Sequence, residues 1–137
     1  MAKKIAAGVA GVIVAFALVW FVENIGHSVY PLPADLDFTD ADAMRVYVDA
    51  LPIGALLFVA GAWFLGTLGG VVTACRIGDA EPRTYTMVVG GLVLLATAAN
   101  LIMIPHPAWF SVMGVAGIVV AAWLGMMIGT GTAGDQE

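Results

Sequence analysis

Residues 5–22, 53–74, 87–104 and 108–128 each run for 18 to 22 positions without one Asp, Glu, Lys or Arg. A stretch of ~20 apolar residues is what a helix needs to cross a ~30 Å hydrocarbon core. Lipid offers no partner for backbone N–H and C=O groups, so each run must satisfy its own as a helix. One such run could be the buried helix of a soluble domain. Four of them in 137 residues leave too little polar chain to cover the rest. The chain is therefore expected to be all-α: a polytopic membrane protein forming one four-transmembrane-helix bundle over residues 1–137. The spans are placed at about 5–26, 53–74, 87–104 and 108–128, and an outer segment at about 27–52. A lipid bilayer is its implied partner.

Charged residues are only 11% of the chain, so where they sit carries more information than how many there are. Lys3 and Lys4 precede the first run, and Arg76 and Arg83 separate the second from the third. Only Arg45 lies on the other side. Lys and Arg in short loops stay on the cytoplasmic side, which predicts that both termini are cytoplasmic. The net charge of −5 gathers outside, at Asp35, Asp37, Asp40, Asp42 and Asp49. Such a face repels anions, so nucleic acid is not an expected partner. "MAKK" also suits the start of a signal peptide, but the apolar run continues through "LVWFV" and predicts a retained span. With Cys75 as its one cysteine, the chain has no dithiol pair of its own.

Between the first two runs, Pro31 and Pro33 break the helix and predict an extended segment. Thr39-x-x-Asp42 then resembles a capping box, opening a short amphipathic helix. Met44, Tyr47, Val48 and Leu51 share its apolar face, while Asp42, Arg45 and Asp49 share a charged one. Two small-residue stripes recur every fourth position: Ala62, Gly66, Gly70 and Ala74, then Gly117, Ala121, Gly125 and Gly129. Stripes of this kind let helix backbones approach closely. They predict that spans two and four pack on each other, or on a second copy or another membrane protein.

Polar residues collect at one membrane boundary. Glu23, Asn24 and His27 end the first run, Asn100 lies near the end of the third, and His106 sits in the turn that follows. Glu23 stands ~27 Å above Ile5 at 1.5 Å per residue, which puts it at the outer interface. The helix macrodipole disfavours an anion there, so a neighbouring cation is expected. His27, four residues on, can supply it as an interfacial ion pair with Arg45 in reach. Glu23, His27 and His106 can alternatively ligate a divalent metal such as zinc. Asn24, Asn100, Asp35, Asp37 and Arg45 complete the candidate polar site.

No phosphate-binding glycine loop, nucleophile elbow, HExxH or CxxC is present, so no catalytic residue is named. In combination, E-N-x-x-H, Y-P-x-P-x-x-x-D, L-P-x-G-A, A-W-x-L-G and I-P-H-P-x-W resemble a family of small bacterial four-span membrane proteins. The pattern covers residues 23–109. The resemblance implies a bacterial inner-membrane setting and carries no activity with it. Three functions stay open: an outward-facing site binding a cation, small ligand or partner; a small homo-oligomeric transporter or channel; and a metal-dependent membrane enzyme. The first leads, because the inner halves of the spans hold little polar chemistry beyond Thr67 and Thr73.

Overall fold

The computed structural model describes residues 1–78 and 81–131. All its regular elements are helical: α1 (Ala2–Val29), α2 (Ala41–Ala50), α3 (Ile53–Ile77), α4 (Pro82–Met103) and α5 (Ala108–Thr130). α1, α3, α4 and α5 are each long and apolar enough to cross a bilayer, and the chain is a multi-pass membrane protein built as a four-helix bundle. All four outrun their apolar stretches at one end or both. α1 begins at Ala2 and α4 at Pro82, because a helix continues into the polar interface where hydropathy no longer marks it.

Prolines set several ends. The Tyr30 N–H closes α1 on the Gly26 carbonyl at 2.7 Å, and Pro31 stops the helix there. Pro82 occupies the first turn of α4, where its missing N–H costs nothing. The Ile104 N–H bonds the Asn100 carbonyl at 2.9 Å, and Pro105 ends α4 one residue later. For α2 the cap lies one residue beyond the expected Thr39. Asp40 Oδ1 accepts from the N–H groups of Asp42 and Ala43 at 2.9 and 3.2 Å. Thr39 is engaged elsewhere, donating its N–H and hydroxyl to Asp37 Oδ1.

α3 is the central helix. It meets α1, α4 and α5, and α4 also touches α1 and α5, which puts α1 and α5 at opposite edges. Spans two and four, now α3 and α5, pack on each other as the sequence suggested, but not stripe to stripe. The α3 stripe lies against α1: a Cβ built on Gly70 would stand 2.6 Å from the Gly11 carbonyl oxygen and 2.7 Å from the Ala15 Cβ. The α5 stripe lies against a different face of α3, with Gly125 over Leu68 and Val71 and Gly129 over Val72 and Cys75. One helix with two such neighbours has to present two separate faces.

Outside these contacts the bundle is apolar. Met87, Leu95, Ile102, Met103 and Val112 are each more than two-thirds exposed, an apolar surface that suits a lipid bilayer. Trp20 and Trp109 are exposed and Trp63 is buried. Trp123 faces outward at 55% exposure because Ala121 and Gly125 occupy the inner face of α5. Within the spans, the Thr67 and Thr73 hydroxyls bond the Trp63 and Gly69 carbonyls of their own helix. This back-bonding satisfies the hydroxyls within their own helix.

Candidate functional site

The face of the bundle that carries α2 holds a half-open cavity of about 270 Å³. Among the described residues, no Cα of α2 lies within 8 Å of a Cα in another helix. Its side chains bridge the gap. Met44 and Val48 reach down and are buried, while Tyr47 and Leu51 complete the same face, so α2 roofs the space instead of filling it. Asp42, Arg45 and Asp49 point away and are exposed. The opposite face of the short helix is thus solvated, as its spacing predicted.

Glu23 and His27 from α1, Asn100 from α4 and His106 from the α4–α5 turn all line this cavity. Each has a local reason for its position. Gly26 lets α1 close on α3 beneath the cavity, because a Cβ there would lie 3.0 Å from the Phe58 Cβ. That contact sets the rotation of the last turns of α1, with Glu23 half-buried and His27 exposed at the mouth. Asn100 sits in the final turn of α4, its backbone carbonyl holding the C-cap. The Asn100 Oδ1 atom is buried and has no hydrogen-bond partner. A buried polar atom left unsatisfied is costly.

His106 is held on two sides. Its Nδ1 lies 2.8 Å from the Ile104 carbonyl oxygen, which can only accept, so Nδ1 carries the proton. The ring stacks on Phe110, with centroids 4.8 Å apart and planes 18° from parallel. Phe110 is fully buried and also packs on Trp63 at 5.4 Å. Burial lowers the His106 pKa below its ordinary value, outweighing the backbone hydrogen bond that raises it. The imidazole is therefore neutral at pH 7, with Nε2 left as an acceptor.

The remaining expected site residues lie elsewhere. Asn24 is exposed and donates to the Trp20 carbonyl of its own helix at 2.7 Å. Asp35 and Asp37 are exposed in the loop, outside the cavity lining. Arg45 is on the solvated side of α2 and cannot serve Glu23 from there. Among the described residues, Glu23 and His27 form no direct ion pair within 4.0 Å. Nor does any group of three or more His, Cys, Asp or Glu side chains assemble into a metal-holding cluster. Glu23, His27 and His106 line the same cavity without being gathered into such a group.

The aromatic lining was not legible as part of a site. Tyr30, Phe38, Tyr47 and Phe58 all contribute to the cavity wall. Tyr30 meets Phe58 edge to face at 6.1 Å, and its hydroxyl packs over Gly54, where a side chain would collide with it. The one sequence signal was the apolar face of α2, which reads equally well as plain packing. No protein-family model, curated protein or solved structure matches the chain.

Proposed function

We propose that this protein is a non-enzymatic membrane receptor or accessory protein whose cavity beneath α2 opens outward and binds a small ligand. The observation that carries the reading is Asn100 Oδ1, buried without a partner beside a cavity to which α1, α4 and the following turn contribute Glu23, His27 and His106. A purely structural contact would have been cheaper with an apolar residue at position 100. The volume is at or just below the ~300–1,000 Å³ of drug-sized pockets, which suits a compact ligand. The self-satisfied threonines at mid-depth argue against a conduit through the bundle.

Orientation rests on the basic residues. Lys3, Lys4, Arg76 and Arg83 belong to the terminal end of the bundle and Arg45 to the α2 end. A bacterial inner membrane with both termini cytoplasmic follows from that asymmetry and from the resemblance above. Labelling a cysteine at position 40 with an impermeant maleimide, in a Cys75→Ser background, is expected to succeed from outside intact cells.

Ligand binding is tested by thermal unfolding of the detergent-purified protein against a chemically diverse set of small solutes. A true ligand at 100 times its Kd should add about 2.7 kcal/mol of stability, growing with the logarithm of its concentration. The effect should disappear when Ala55, in the cavity wall, is replaced by Phe. If no solute gives a stabilisation that follows this dependence with the wild-type protein, the cavity is a packing gap and the proposal is wrong.

A further inference from the structure

We infer that the cavity takes a compact organic ammonium, a protonated amine that keeps at least one N–H and carries a small apolar body; this rests on the ligand-binding reading above. The polar atoms set the sign and the hydrogen-bond sense. Glu23 is the one formally charged residue in the lining, which includes no Lys or Arg. Its carboxylate makes no hydrogen bond and no ion pair within 4.0 Å among the described residues, and its electrostatic neighbour is His27 in the same lining. Asn100 Oδ1 is buried and unpartnered, and the His106 Nδ1 proton is already committed to the Ile104 carbonyl. The lining offers acceptors in the Glu23 carboxylate, the Asn100 amide oxygen and His106 Nε2 and donors in Asn100 Nδ2 and the Tyr30 and Tyr47 hydroxyls, and Glu23 alone sets the sign of the charge it can take. What completes such a set is a cationic donor.

Three further features agree. Asp35, Asp37, Asp40, Asp42 and Asp49 lie exposed in the same segment as α2 with Arg45 alone against them, so the field on that side of the bundle draws in cations. Tyr30, Phe38, Tyr47 and Phe58 line the cavity, and aromatic side chains favour an ammonium and shelter a hydrocarbon body. A bare divalent ion would need several anionic or imidazole ligands together, and no such cluster forms among the described residues. One carboxylate with neutral acceptors and aromatic walls suits a single positive charge spread over an organic head.

Four matched probes test this on the full-length protein in detergent, by isothermal titration and thermal unfolding. They are 2-phenylethylammonium, its N,N,N-trimethyl analogue, 2-phenylethanol and phenylacetate. The primary ammonium is expected to bind saturably, with the trimethyl analogue roughly tenfold or more weaker, because it cannot donate to the orphaned acceptors. The alcohol and the anion should be weaker still. Glu23→Gln should weaken the primary ammonium by at least roughly tenfold, while the wild-type series alone decides the matter if that variant does not fold. Equal or tighter binding of the alcohol or phenylacetate would keep a ligand site but overturn the ammonium assignment. Equal binding of the trimethyl analogue would overturn the N–H requirement. Failure of all four probes also overturns the assignment, and the broader solute screen then decides separately whether the cavity binds anything.

Discussion

The Lys4 ammonium lies 2.7 Å from Glu81 Oε1, joining the start of α1 to the residue that opens α4, 77 positions later. Glu81 is also the one non-glycine residue at positive φ among the described residues, at φ 65° and ψ 53°. Both side chains are about half exposed, so solvent screens the pair and its contribution to stability is small. The Lys4 hydrogen bond holds the Glu81 carboxyl below its ordinary range. That stabilisation is present above the unfolded carboxylate pKa of ~4.3 and is lost as pH falls through the lower folded value. Glu81→Gly should change the melting temperature little, since relief of the left-handed strain offsets the lost pair. Glu81→Val should lower it clearly, because a β-branched residue resists that conformation. Thermal scans of both variants, at low and high salt, provide the check.

Glycines of the same helix should behave in opposite ways. A Cβ at Gly70 would collide with the Gly11 carbonyl oxygen, the Ala15 Cβ and Val89, whereas one at Gly61 would meet nothing within 4 Å. Gly70→Ala is therefore expected to separate α3 from α1 and cost about 1–3 kcal/mol. Gly61→Ala should be neutral or stabilising by up to ~1 kcal/mol, from helix propensity alone. Unfolding in mixed micelles, with both variants measured side by side, reads the difference. Equal effects would mean that the α1–α3 approach is not tight.

Asn100→Leu should separate stability from binding. Replacing a buried, unpartnered oxygen with a similarly sized apolar side chain removes a desolvation penalty, so the variant should gain on the order of 1 kcal/mol. It should also lose affinity for whatever the cavity holds. A variant less stable than the wild type would show that the amide has a structural partner after all.

His106 gives the protein an acid-sensitive turn. Its pKa in the folded state is lowered by burial, so below the unfolded value of ~6.5 the unfolded chain binds more protons than the folded one. Stability should therefore hold above about pH 6.5 and fall as the pH drops from there toward the lower folded pKa. Glu23 and His27 face the same cavity, so the assignment depends on a comparison. His106→Asn should flatten that part of the pH profile, whereas His27→Asn should leave it in place. Melting temperatures from pH 7.5 to 5.0 would show this.

Much of the bundle was legible in one dimension because lipid imposes a one-dimensional rule. A run long enough to cross and free of charge must be a helix, and four runs with short connections must form a bundle. The polar face of α2 and its buried Met44 and Val48 were equally plain, since a 3.6-residue period sorts inside from outside without knowledge of the partner. Even the gathering of Glu23, His27, Asn100 and His106 at one boundary could be read, because distance along a helix measures depth.

What only the tertiary structure decided is azimuth and distance. Depth places Asn24 beside Glu23, but the rotation of α1 set by Gly26 against Phe58 turns Asn24 outward onto its own helix. Glu23, His27 and His106 are of metal-ligating type, yet among the described residues no three such side chains are grouped where they could hold an ion. Two small-residue stripes specify close packing but not a partner, and it is the central position of α3 that sets its own stripe against α1 and receives the α5 stripe on another face. The sequence by itself determined which residues reach the boundary, through hydropathy and helical rise. The fold decided which of them face one another, because side-chain packing between helices, and nothing local to any one of them, sets their rotation.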